Sequence, residues 1–205
     1  MHKLTLITVA TLFVVVCATA VSYPDVGESV AEGTPHSTVS AGTEDESLEA
    51  FNTMMDVLTH QRCVNCHPSD DVPKQGEDSH HHRFGIVRDN VGSATNCNTC
   101  HQDSNNAFSG VPGAPEWSLA PHSMRWEGLS RIEIAESMMN PENNGNRSAE
   151  DIMHHLTEHE LVLWAWEPGV DASGEPRELP PHSKEVYIEA VKKWIELGAV
   201  IPEEE

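Results

Sequence analysis

Positive charge is what this chain most lacks. Twelve Lys and Arg stand against 33 Asp and Glu in 205 residues, a formal net charge of −21. Nucleic acid and anionic lipid surfaces are bound through Lys and Arg, so this balance argues against both as partners. The same excess would favour a partner that presents a basic patch, through steering that weakens with salt. Aromatic residues are scarce as well, at 5%, too few to fill an ordinary core. No convincing strand pattern occurs, which leaves a mostly α reading. Cysteine is limited to five residues. One, Cys17, lies in the N-terminal apolar run, and the other four occupy two short strings, so none remains for a disulfide.

The N-terminus reads Met-His-Lys, then apolar from Leu4 to Val16, then Ala18-Thr19-Ala20. A positive n-region, an apolar h-region and an A-x-A site predict a secretory signal peptide over residues 1–20. A lipoprotein signal would place a small residue before the acylated cysteine, whereas Val16 precedes Cys17. Retention of the run as a membrane anchor is the remaining alternative, since it is almost long enough to span. Export implies a periplasmic or other extracytoplasmic location. Residues 21–46 are Ser, Thr, Gly, Pro, Glu and Asp with few large apolar groups. Such a segment cannot bury enough surface to offset its ordering entropy and is expected to be a disordered acidic tether. Residues 47–205 then form one folded domain.

The two strings are Cys63-Val-Asn-Cys66-His67 and Cys97-Asn-Thr-Cys100-His101. C-x-x-C-H is the attachment signature of a c-type haem. The two thiols become thioethers to the porphyrin, and the histidine presents a nitrogen to the iron as proximal axial ligand. At this chain's own Cys and His frequencies, one such string arises by chance in roughly one chain in a hundred; two make chance implausible. Paired C-x-x-C strings also build tetrahedral zinc sites, and a single one can be a redox dithiol, which expects a βαβ context. Covalent haem attachment requires translocation of the apoprotein, so the export signal and the strings support each other. The expected cofactors are therefore two haem c, and the expected fold is a mostly α, dihaem cytochrome c-like domain with long irregular loops wrapped around porphyrin.

Leu48, Phe51, Met55 and Leu58 recur at helical spacing and predict a helix of about 14 residues leading into the first string, capped by Thr43 or Ser47. His60 lies too close to Cys63 to swing over the opposite haem face. Residues 68–96 and 104–121 carry Pro and Gly without sustained periodicity, and loops of that length normally do a job or cover a ligand. Three helices should close the domain. Ser130-Arg-Ile-Glu133 is a capping box whose helix stops before Pro141. Ser148 caps the next, with Ile152, Leu156, Leu163 and Trp166 on one face. The last starts near Ser183, buries Val186, Ala190, Val191 and Trp194, and ends at Gly198.

Each iron has a sixth position, and its occupant separates electron carriage from small-molecule chemistry. His82 lies between the strings, where it can reach back over the first ring, with His80 and His81 as fallbacks. The bland reading of that run is a surface polyhistidine patch. Met124 follows Pro121-His122-Ser123 and can supply a thioether, or simply fill core space. His155 and His159 sit one turn apart on the apolar side of the third closing helix. As an i, i+4 pair they can also hold zinc, although no H-E-x-x-H string or third ligand stands out.

The residues Asn65-Cys66-His67-Pro68, Gln75-Gly76, Pro112-Gly-Ala-Pro115, Trp117, Leu119-Ala-Pro121 and Met124-Arg-Trp126-Glu-Gly-Leu129 form a pattern. It continues through Asn144-Gly145, His155, Leu161-Val162, Trp164, Trp166, Pro168-Gly169, Trp194 and Gly198-Ala199. From about residue 63 to 202 the chain resembles small exported dihaem c-type cytochromes, some labelled isoquinoline 1-oxidoreductase subunit. The resemblance implies two covalent haems and electron carriage in the periplasm or its equivalent. It also places His82, Met124 and His155 first among distal ligands, of which two haems need two. Members often have a cysteine before the final proline, where this chain has Ile201. The label suggests service to a molybdenum hydroxylase, which nothing in these residues identifies.

The leading reading is an exported electron carrier between redox proteins. A dihaem peroxidase-like or small-gas-reducing enzyme is the alternative. It requires one open iron and an acid/base group, for which His80, His81, His122 or His159 would serve. A haem-tethered sensor would need an output domain, and none is visible.

Overall fold

The computed structural model describes residues 41–88 and 96–204. The expected signal peptide and all but the last six residues of the expected tether lie outside the described residues. Helix α1 (Ala41–Leu58) begins inside the segment read as tether. It is longer than the apolar spacing alone predicts because its start is held from outside: Glu46 pairs with Lys193 at 2.8 Å on the last helix. Thr43 and Ser47 are therefore interior positions rather than caps, and Leu48 is largely exposed while Ser47 and Ala50 face inward.

Helix α2 (Gln61–Val64) follows at once, capped by His60, whose ring accepts from the Arg62 amide. A short antiparallel hairpin comes next, β1 (Lys74–Gln75) with β2 (His80–His81), the one paired sheet among the described residues. Helices α3 (Arg131–Met139) and α4 (Pro141–Asn144) are separated by Asn140, whose side chain caps α4. Helices α5 (Ala149–Glu158), α6 (Glu160–Leu163) and α7 (Lys184–Glu196) complete the order. The architecture is mostly α, as the missing strand pattern implies.

The predicted starts are present. Ser130 and Glu133 exchange the two bonds of a capping box, and Ser148 does the same with Asp151. Each such cap contributes about 1 kcal/mol. The helix after Ser148 is shorter than expected, breaking at His159 and resuming as α6 and a 3₁₀ turn over Trp164–Trp166. The break follows from tertiary ties: the His159 carbonyl takes the amides of Val162 and Leu163, while Asn105 captures Trp164 Nε1 at 2.8 Å. Ile152 and Leu156 are buried, whereas Leu163 and Trp166 are only half-buried.

The core is built where α1 packs along α7, with the Phe51 and Trp194 rings 6.3 Å apart. On α7 the buried stripe is Tyr187, Ala190, Val191 and Trp194, and the expected Val186 is 47% exposed. Positions 187, 190, 191 and 194 lie on one helical face, and residue 186 falls on its flank. Met54 and Met55 are fully buried filler, each contributing about 1.5–3 kcal/mol by burial.

Asp56 fastens α1 to the starts of α3 and α7: Arg131 donates to it at 2.5 Å, and His182 Nε2 lies 2.8 Å away. Burial alone would raise this carboxyl, but the hydrogen bonds from His182 and Arg131 outweigh it and hold it below its ordinary 3.8. A depressed folded-state value means that the unfolded chain binds more protons in acid. The stabilisation is therefore present above that ordinary value and disappears as pH falls through the folded one. Asp56→Asn is expected to shrink the difference between urea midpoints at about pH 7 and about pH 3; an unchanged difference would remove Asp56 from the acid response.

Candidate functional site

Both C-x-x-C-H strings adopt the same local turn. In the first, Cys66 N donates to Cys63 O and His67 N to Val64 O, each at 3.0 Å. In the second, Cys100 N and His101 N both donate to Cys97 O, at 3.2 and 2.9 Å. Each turn brings its two sulfurs and its imidazole to the wall of a cleft. The first cleft, of about 1290 Å³, holds Cys63, Cys66 and His67. The second, of about 1100 Å³, holds Cys97, Cys100 and His101. Both volumes, which include the open mouths, are at the upper end for cofactor pockets.

The two imidazoles are fixed alike. His67 Nδ1 lies 2.7 Å from Met124 O, and His101 Nδ1 lies 2.7 Å from Pro112 O. A carbonyl only accepts, so each Nδ1 carries the proton and each Nε2 is left with a free lone pair. Trp126 stacks on His67 with centroids 3.6 Å apart and planes 11° from parallel; Trp117 stacks on His101 at 4.6 Å and 7°. Burial pushes His67 down to about 4, against the opposing bond to Met124 O, and also lowers His101. Both rings are therefore neutral at ordinary pH, the state a metal ligand requires.

The segments that hold them are the two irregular stretches. Residues 120–127 are strapped to the first string through Ala120 N on Cys66 O and Trp126 N on His67 O. Residues 105–113 close on the second through Asn105, whose Oδ1 takes Trp164 Nε1 and the Gly113 amide while its Nδ2 donates to Glu167 O. Between these stretches, Ser118 and Leu119 line both clefts, as do Arg62 and Cys66. Burial raises the Cys66 thiol to about 11, helped by nearby Cys97, and raises Cys63 to about 12. Thiols shifted upward are poor thiolate nucleophiles, which counts against the dithiol reading. Among the described residues no three His, Cys, Asp or Glu side chains gather to hold a metal ion, so the two pairs do not close one zinc tetrahedron.

Of the histidine run, His82 alone enters a cleft, and it is the second one. It faces His101, ring centroids 6.0 Å apart. Two imidazoles bound across one metal, each at about 2 Å with about 1 Å more to the ring centre, have centroids about 6 Å apart. His82 Nδ1 is held 2.7 Å from Arg83 O, which again frees Nε2. Reach over the first ring is thus replaced by reach over the second, for a reason of register. The pairs Lys74–His81 and Gln75–His80 extend to His82 N on Pro73 O at 2.7 Å, which sets the residue after β2 beside the second string. His80 and His81 turn instead to Asp78 and Asp70.

His155 lines the first cleft with His67, near enough for their charges to interact. Burial, then the Arg147 charge, pushes it down to about 4. Its neighbour His159 lies at the same wall, with Nε2 3.0 Å from Glu116. Met124 also lines the first cleft, but its carbonyl stands behind His67, and its sulfur is 4.0 Å from the Ser137 hydroxyl. The residues therefore fit two haem groups, each with two sulfurs and a freed imidazole nitrogen, and a second imidazole sharing the cleft. Reading the sequence missed the carbonyls of Met124 and Pro112, Asn105, and the stacked tryptophans as supports; the Pro112-Gly-Ala-Pro115 string was the available signal.

Gly113 shows how tight the second support is. A Cβ there would lie 2.3 Å from Gln102 O and 2.4 Å from Ser104 O. Gly113→Ala is expected to push the Pro112 carbonyl off His101 and destabilise the fold by about 1–3 kcal/mol, read as a lower urea midpoint with displaced His101 ring resonances. An unchanged midpoint and spectrum would remove Gly113 from the support. No protein-family model, curated protein or solved structure matches the chain, so the functional conclusion is carried by the two clefts.

Proposed function

We propose that the protein is an exported electron carrier holding two covalently attached haems, similar to the small dihaem c-type cytochromes. The observation that carries this reading is the 6.0 Å separation of His82 and His101 across the second cleft, beside a C-x-x-C-H string. When bound, haem iron supplies a one-electron couple whose potential follows its axial ligands and burial. The chain's own part is attachment, orientation and exclusion. Cys63, Cys66, Cys97 and Cys100 fasten the two groups, and His67 and His101 present Nε2 as proximal ligands. His82 is the distal ligand at the second string and His155 at the first. Met124 acts through its carbonyl. The two irregular stretches and the hairpin are the loops that wrap the cofactors.

Carriage is favoured over peroxidase-like chemistry by the supply of imidazoles. Each cleft has a second histidine, so neither iron is left open. The acid/base candidates His80, His81, His122 and His159 are each within 3.4 Å of a carboxylate oxygen. Close packing of the strings serves the same end, since Cys66 belongs to both clefts and the two groups would meet edge to edge. Residues 1–20 are the export signal in this reading.

Protein matured with its signal intact is expected to gain the mass of two haems and to show two low-spin sites that ignore carbon monoxide after reduction. His82→Ala and His155→Ala should each turn about half of the haem absorbance high-spin and gas-binding, while Met124→Leu leaves both sites low-spin. Loss of a methionine–iron charge-transfer band in Met124→Leu would overturn the ligand assignment. A colourless protein would overturn the function.

A further inference from the structure

Resting on the dihaem reading, we propose that the second string forms the docking face for a small basic redox protein and that the first is an interior relay. The two strings differ in exposure. Cys63 and Val64 pack against the α1–α7 core. In the second string Asn98, Thr99 and Cys100 are exposed, as is Asn96 just before it. Electron exchange falls steeply with distance, so a partner must approach the cofactor edge nearest to solvent.

Two of the chain's four phenylalanines are displayed on that side. Phe108 is 101% exposed and Phe84 88%. Phe84 lines the second cleft. Phe108 sits at the tip of the 106–111 turn, just before the Pro112 carbonyl that holds His101. Its presentation is built: Asn106 Oδ1 accepts the amides of Phe108 and Ser109, and Asn106 N donates to Val111 O at 2.9 Å. A large apolar ring held fully in water on a fastened turn is unfavourable for the monomer and suits an interface centre.

The surroundings choose the partner. Gln61, on the cleft wall, donates to Glu77 and Glu178. Asp78 is next in chain to Glu77, exposed Asp103 follows His101 by two residues, and Glu116 precedes Trp117. The cations on that wall are committed inward: Arg62 to Glu77 and the Glu178 carbonyl, and Arg177 to the carbonyls of Pro168, Val170 and Gly110. An apolar centre within an acidic rim fits a partner with a basic rim. A second copy of this chain, itself at −21, would be repelled. The step is a single-electron transfer: iron at the second string is oxidised, the partner's oxidised centre is reduced, and no bond or proton changes place.

The test uses holoprotein shown by mass to carry two haems, reduced and mixed with an oxidised, lysine-rich monohaem cytochrome c. The second-order rate is expected to fall about tenfold or more as salt rises from about 10 to about 200 mM, where screening shortens to under about 10 Å. Phe108→Ser and Asp103→Lys should each lower it several-fold. Glu150→Lys, an equal charge change on α5 beside the first cleft, should lower it less than twofold, and amide shifts on complex formation should centre on residues 96–110. Equal losses in Asp103→Lys and Glu150→Lys, shifts centred on α5 and α6, or a rate indifferent to salt would each overturn the docking face. A mass lacking two haems would overturn the functional reading before any kinetics are run.

Discussion

Everything at the two clefts depends on a hydrogen bond made behind each imidazole. An Nδ1–H held 2.7 Å from a carbonyl decides the tautomer, and with it which nitrogen faces the cleft. Such a bond is worth only about 0.5–1.5 kcal/mol net, but without it the ring rotates and offers either nitrogen. The two carbonyls come from different distances, 57 residues along the chain from His67 and 11 from His101. The first support therefore exists only once α1, α2 and the 120–127 segment are assembled; the second is a local loop closure. Tryptophan stacking on each ring removes the remaining rotation.

This difference in range explains the asymmetry of the molecule. The first string is set into the helical core, against residues of α1, α3 and α5. The second is an excursion outside it, returned to the body by Asn105 and Arg177. The wall between them is thin, and Cys66 belongs to both clefts. A buried centre next to an open one, separated by a few side chains, suits charge that enters at one place and is held at another.

The helix starts were legible in the sequence because capping is local: Ser130 with Glu133 and Ser148 as cap needed nothing beyond three residues of context. The strings were legible because the chemistry demands a fixed spacing. What the sequence hid was tertiary. Periodicity assigned Val186 to the core in place of Tyr187, one position away, because the pattern alone does not say which flank of α7 meets α1. Three adjacent histidines are indistinguishable until a hairpin register sends His82 to one side and His81 to the other, and that register rests on Pro73 and Asn65, which carry no apolar signal. Met124 was read as a thioether because a side chain is visible in a sequence and a carbonyl's direction is not.

The shortage of Lys and Arg gains meaning from where they lie. Arg62 holds Glu77 and the Glu178 carbonyl, and Arg88 reaches Ala120 O and Asp71. Lys74 pairs with Asp70 and Glu127, and Arg131 fastens Asp56. Arg177 gathers three loop carbonyls. Arg62, Lys74 and Arg88 have side chains 4–13% exposed. Cations placed as fasteners for loops and carboxylates cannot also offset charge at the surface, so the outside is more uniformly negative than composition alone implies. A surface of one sign opposes self-association and raises the encounter rate with a cationic partner. The cations that shape the clefts from within thus leave the rim of those clefts acidic.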